Sequence, residues 1–67
     1  MRIRDCAVNS GDPKIIVPRG TFGTLKRGMA IFGAPVPAGA LVTNIGEDWF
    51  EISKPPRMTW FGDLIAA

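Results

Sequence analysis

Few side chains in this sequence have the chemistry for catalysis or ligation. There is no histidine, and Cys6 is the single cysteine. Without imidazole the chain lacks the side chain that titrates unaided near neutrality. One thiol cannot build a tetrahedral nitrogen–sulfur metal site, and no disulfide can form within the chain. Three carboxylates, Glu47, Asp48 and Glu51, fall close together. As general acids or metal ligands they would need a concave, partly buried site. On a hairpin tip and the outer face of a strand they are ordinary solvated charges, and the sequence favours that reading. Ser10 and Ser53 have no flanking motif that would activate a hydroxyl. Cys6 beside Arg4 has the makings of a reactive thiol, but its alternating apolar surroundings favour a small buried residue. Gly20 and Gly23 with Arg19 would suit an anion nest. The following Leu25-Lys26-Arg27 reads as strand and not as a helix, so turn geometry is the better account. The expectation is a non-enzymatic chain with no catalytic residue, no metal and no cofactor.

The elements that position these residues read as short strands. Arg2 to Val8 alternates imperfectly, with Ile3, Asp5 and Ala7 on one face and Arg4, Cys6 and Val8 on the other. It suits an edge strand, or residues 1–12 form a flexible lead-in. Asn9-Ser10-Gly11-Asp12-Pro13 is a turn cluster. Lys14 to Val17 is a β-branched run ended by Pro18. Gly20 and Gly23 mark a tight corner. Thr24 to Phe32 reads as a strand bent at Gly28, and Gly33 to Gly39 as an apolar, proline-stiffened loop. Ala40 to Ile45 and Trp49 to Ile52 flank a compact connection at Gly46-Glu47-Asp48. Met58 to Phe61 closes the series as a strand, with Met58 and Trp60 on one face, and Gly62 to Ala67 suits one 3₁₀ turn. The expected core is Val17, Leu25, Ile31, Val42, Phe50, Ile52 and Phe61.

Sixty-seven residues make one domain, here residues 1–67. So short a chain has a thin margin of stability, which makes self-association or docking on a larger partner a reasonable prior. The net charge of +2 permits nucleic acid as a partner without arguing for it. No apolar run is long enough to span a bilayer. A lone cysteine and the lack of an export signal point to the cytoplasm, of a cell or of a virus-infected host. Several short strands divided by Gly/Pro turns suggest an all-β, five-stranded antiparallel barrel, since closure removes exposed edges.

Gly11-Asp12-Pro13, then Ile16-Val17-Pro18-Arg19-Gly20-Thr21-Phe22-Gly23-Thr24-Leu25, a Trp-centred strand at 49–52 and a closing Asp63-Leu64-Ile65 resemble the small SH3-like barrel proteins of phages and mobile elements. The resemblance covers residues 11–65. It departs at the apolar loop 33–39, where such proteins carry a shorter, polar connection. It implies a small binding domain acting on a host or viral protein. A more distant likeness is to the type II dihydrofolate reductases, short SH3-like barrels that work as pore-forming tetramers. Their Val-Gln-Ile-Tyr signature would fall at Met58-Thr59-Trp60-Phe61, where glutamine and tyrosine are both absent.

Two surfaces have the composition for binding. Trp49 and Trp60 fall at outward or edge positions, and exposed indoles anchor proteins, peptides or stacked bases. The uncharged loop with Pro35, Val36 and Pro37 is either tucked over the barrel mouth or presented to a partner, and its lack of polarity favours presentation. The leading expectation is therefore protein docking through this loop and the two tryptophans. The alternative is a nucleic-acid-binding barrel in which Arg19, Lys26, Arg27, Lys54 and Arg57 join on one face.

Overall fold

The computed structural model describes residues 1–20 and 24–67. Six strands form: β1 (Arg2–Val8), β2 (Lys14–Ile16), β3 (Ile31–Phe32), β4 (Val42–Ile45), β5 (Trp49–Ile52) and β6 (Trp60–Ala66). All pair antiparallel in one sheet of order β3-β6-β1-β2-β5-β4. No helix occurs among the described residues. The all-β expectation holds, but with six strands where five were expected.

Local chemistry explains the turns. Gly11 adopts φ +79 between β1 and β2. Asp12 donates its N–H to the Asn9 carbonyl at 3.1 Å, and its carboxylate accepts from the Lys14 N–H at 3.0 Å. That is the usual way a short acidic side chain closes a turn. The β4–β5 hairpin closes with the Gly46 N–H on the Trp49 carbonyl at 2.8 Å. Gly20 takes φ +80, in keeping with the expected corner, whereas Gly23 lies outside the described residues together with Thr21 and Phe22.

Four further expectations are corrected. The first segment is neither a lead-in nor an edge strand: β1 lies between β6 and β2. The expected faces, Ile3 with Asp5 and Ala7 against Arg4 with Cys6 and Val8, also fail, because the register against β6 slips between Ile3↔Leu64 and Cys6↔Gly62. Asp5 sits in this bulge at φ +54, its N–H donating to the Asp63 carboxylate at 3.2 Å. The extra residue changes the phase, so Ile3, Cys6 and Val8 all point inward. The strand expected over 24–32 shortens to Ile31–Phe32, because Gly28 (φ +90) holds a turn. Finally, no 3₁₀ turn ends the chain; the last strand continues to Ala66.

The core is apolar throughout: among the described residues no polar or charged residue is buried. Phe50, Ile3, Ile15, Ile31, Leu64, Val8 and Val42 are the largest fully buried side chains among the described residues. Each contributes roughly 1.5–3 kcal/mol of burial free energy. Of the expected core, Val17, Leu25, Ile31, Val42, Phe50 and Ile52 are buried, and Phe61 is not. The strands at the two ends of the sheet, β3 and β4, are joined by one isolated bridge, Ala30↔Leu41, and not by a ladder. The Gly28 N–H on the Val42 carbonyl (2.8 Å) and the Ile31 N–H on the Ala40 carbonyl (3.0 Å) flank that bridge.

Candidate docking surface

The loop expected to meet a partner faces the other way. Pro35 and Val36 are buried and Pro37 is half-buried. The Arg57 N–H donates to the Pro35 carbonyl at 2.8 Å, and Lys54 Nζ to the Ala38 carbonyl at 2.9 Å. At Gly33 a β-carbon would collide with the tip of the Leu64 side chain, so glycine lets the loop lie this close to β6 without displacing that side chain. The loop's lack of charge reflects tucking. Pro35, Val36 and Pro37 are core and cap, and are not a presented surface.

The two indoles part company. Trp60 stands opposite Val8, on the inward face, half-buried against the core. Its ring covers Gly62, where an added β-carbon would come within 2.8 Å of the indole. The expected outward position of Trp60 is thus overturned. Trp49 does face outward, opposite Ile16, and is half-buried. Its ring lies on Gly46, and Lys14 Nζ sits 4.7 Å from its centroid, a cation–π distance. Trp49 is therefore already covered in part by its own chain.

Further exposed apolar side chains lie on the outward face of β6 and on the strands beside it, where Ile16 adjoins Trp49. Along that strand Trp60, Gly62, Leu64 and Ala66 turn inward, and Phe61, Asp63 and Ile65 turn outward. Phe61 is 68% exposed, the most exposed of the large hydrophobic residues among those described. Side chains directly opposite one another in antiparallel strands share a face. Phe61 stands opposite Ala7, which stands opposite Ile16. Ile65 stands opposite Phe32 on one side and Arg2 on the other. Phe61, Phe32, Ile65 and Ile16 are four of the seven large hydrophobics exposed among the described residues. They occupy one face running from β3 across β6 and β1 to β2. Between its two apolar rows lies an ion pair, Arg2 Nε to Asp63 at 3.6 Å.

Three of the five basic residues named for a nucleic-acid face have partners within the chain. Arg19 pairs with Glu47 at 3.0 Å, Arg27 donates to the Asn44 side chain at 3.4 Å, and Lys54 is turned to Ala38. Lys26 and Arg57 are exposed. The carboxylate cluster reads as hairpin surface: Glu47 is paired with Arg19, and Glu51 stands opposite Lys14. Among the described residues no group of three His, Cys, Asp or Glu could hold a metal ion, and no pocket opens. No helix among them is long and apolar enough to cross a membrane. Cys6 is fully buried, its thiol 3.4 Å from the Ile3 carbonyl. Burial pushes that thiol up to about 11; a backbone hydrogen bond from Leu64 opposes the shift, and the Asp63 and Asp5 charges add to it.

Sequence reasoning missed Phe61, Phe32, Ile65 and Ile16. A signal was present in the alternation Trp60-Phe61-Gly62-Asp63-Leu64-Ile65-Ala66. Once Leu64 is taken as core, period two places Asp63 outside and Phe61 and Ile65 with it. Comparison with protein-family models, with curated proteins and with solved structures found no match.

Proposed function

We propose that this chain is a non-enzymatic binding module that docks on protein through the outward face of β6. The observation that carries the reading is the exposure of Phe61, Phe32, Ile65 and Ile16 on one sheet face. Exposed apolar side chains grouped on one face around a charged pair are a feature of interaction sites. Aromatic residues supply most of the affinity when a partner excludes water from them. A central ion pair with an apolar margin adds orientation to the contact. The sheet is read here as an SH3-like barrel whose seam runs between β3 and β4. The bridge Ala30↔Leu41 and the backbone bonds beside it support that closure. The phage and mobile-element origin rests on the SH3-like resemblance of residues 11–65. Work in the cytoplasm fits a lone thiol kept reduced in the core.

The test is capture with tagged full chain as bait, against both a bacterial lysate and untagged copies of the chain. Capture by the parent and by Leu41→Lys, but not by Phe61→Lys, supports this face. Equal capture by Phe61→Lys, or none by the parent, overturns it. Leu41 is the control because it is an exposed apolar residue on the seam beyond β3, on none of the four strands that form this face.

A further inference from the structure

We infer that the partner on the β6 face is a second copy of this chain, packed about a two-fold axis that lies in the interface over Asp63 of β6. This rests on the docking reading above and names its occupant. The outward residues of β6 run Phe61, Asp63, Ile65, so the carboxylate sits midway between two apolar side chains, about 7 Å from each. A half-turn about an axis lying in the interface and perpendicular to the strand exchanges the two ends. Phe61 of one copy then meets Ile65 of the other, and the reverse contact forms at the same time, as an isologous interface requires. Phe32, opposite Ile65, widens that end of the face. The β3–β6 register covers only Ile65 and Ala66, so β3 places no residue beside Phe61. The broad Phe32–Ile65 end of one copy thus meets the end where Phe61 stands without a β3 neighbour in the other.

Charge agrees with the same axis. The half-turn brings two Asp63 carboxylates face to face, and each arrives with its own arginine at 3.6 Å. The side chains of Arg2 and Asp63 are 59% and 41% exposed, so both remain available to a partner. Two guanidinium groups flanking two carboxylates make a neutral cluster in which each cation has two acceptors. The area is within reach: an ordinary interface takes about 800 Å² from each partner, about a fifth of this chain's 3792 Å². A chain that can form no internal disulfide gains the most from such burial.

Sedimentation of the full chain from about 10 µM to about 500 µM tests the inference. The parent and Leu41→Lys are expected to rise from 7.2 kDa toward roughly twice that mass. Phe61→Lys, and the milder Phe61→Ser, are expected to stay monomeric with the parent's circular dichroism spectrum. Arg2→Ala leaves two carboxylates facing each other and should weaken the dimer at least about tenfold. Adding Asp63→Asn to Arg2→Ala removes that repulsion, keeps an acceptor for the Asp5 N–H, and should recover association. A parent that stays monomeric at the highest concentration overturns the inference, as does a Phe61→Lys chain that dimerises as the parent does. A monomeric parent that still captures another protein through Phe61 removes the second copy as occupant and leaves the docking face standing. A monomeric parent that captures nothing removes both.

Discussion

The two faces of β6 carry neighbouring residues to opposite fates. Inward, Trp60 covers Gly62, and Leu64 is fully buried against the loop at Gly33. Outward, Phe61 and Ile65 flank a charged residue and keep much of their surface in water. The same strand thus seals the core on one side and leaves two large apolar side chains uncovered on the other. Hydrophobicity alone cannot tell these fates apart, since Phe61 is as apolar as Phe50. The pleat decides, and the register with β1 and β3 decides which exposed residues become neighbours.

Truncation inside and outside should separate the faces most widely. Phe50→Ala and Leu64→Ala are expected to cost about 3–5 and about 2–5 kcal/mol in urea unfolding, from lost burial and the cavity left behind. Phe61→Ala should cost under about 0.5 kcal/mol in dilute monomer. Equal losses at Leu64 and Phe61 would erase the contrast.

Cys6 sharpens the comparison through pH. Its thiol is pushed up to about 11 from 9.0, chiefly by desolvation. The folded state therefore holds the proton more tightly than the unfolded chain. Its contribution to stability is intact below pH about 9 and is lost as pH rises toward about 11. The loss should approach about 3 kcal/mol. Stability measured against pH in the parent and in Cys6→Ala checks this; the substitution should remove the Cys6 part of the alkaline slope. A slope unchanged by Cys6→Ala would mean that the thiol is not sealed.

Smaller effects probe how β6 and β1 are shaped. Gly62→Ala pushes a methyl group into the Trp60 ring and should cost about 1–3 kcal/mol, read from the thermal midpoint. At the bulge, Asp5 holds φ +54. Asp5→Gly is expected to be near neutral, whereas a β-branched Asp5→Val should cost about 1–2 kcal/mol. The reverse order would mean that the bulge relaxes without a left-handed residue.

Much of the fold was legible in the sequence because turn chemistry is local. Gly11-Asp12-Pro13, Gly46-Glu47-Asp48 and the β-branched runs placed β2, β4 and β5 within a residue or two. The bulge at Asp5 was not legible, because it arises in the pairing with β6, where the Asp63 carboxylate that accepts the Asp5 N–H lies fifty-eight residues away. The site was less legible than the fold. An uncharged proline loop has the same composition whether it caps a core or meets a partner; the contact between Gly33 and Leu64 that decides this one is long-range. Trp60 was placed outside because the last strand was ended too early, and the same error put Phe61 in the core. Extending that strand to Ala66 corrects both residues together.

The direct test of the account is the unfolding free energy of Phe61→Lys, measured where the parent is monomeric and set beside its capture behaviour. The account predicts a stability within about 0.5 kcal/mol of the parent together with loss of capture. A Phe61→Lys chain that unfolds, or one that binds as the parent does, would contradict it.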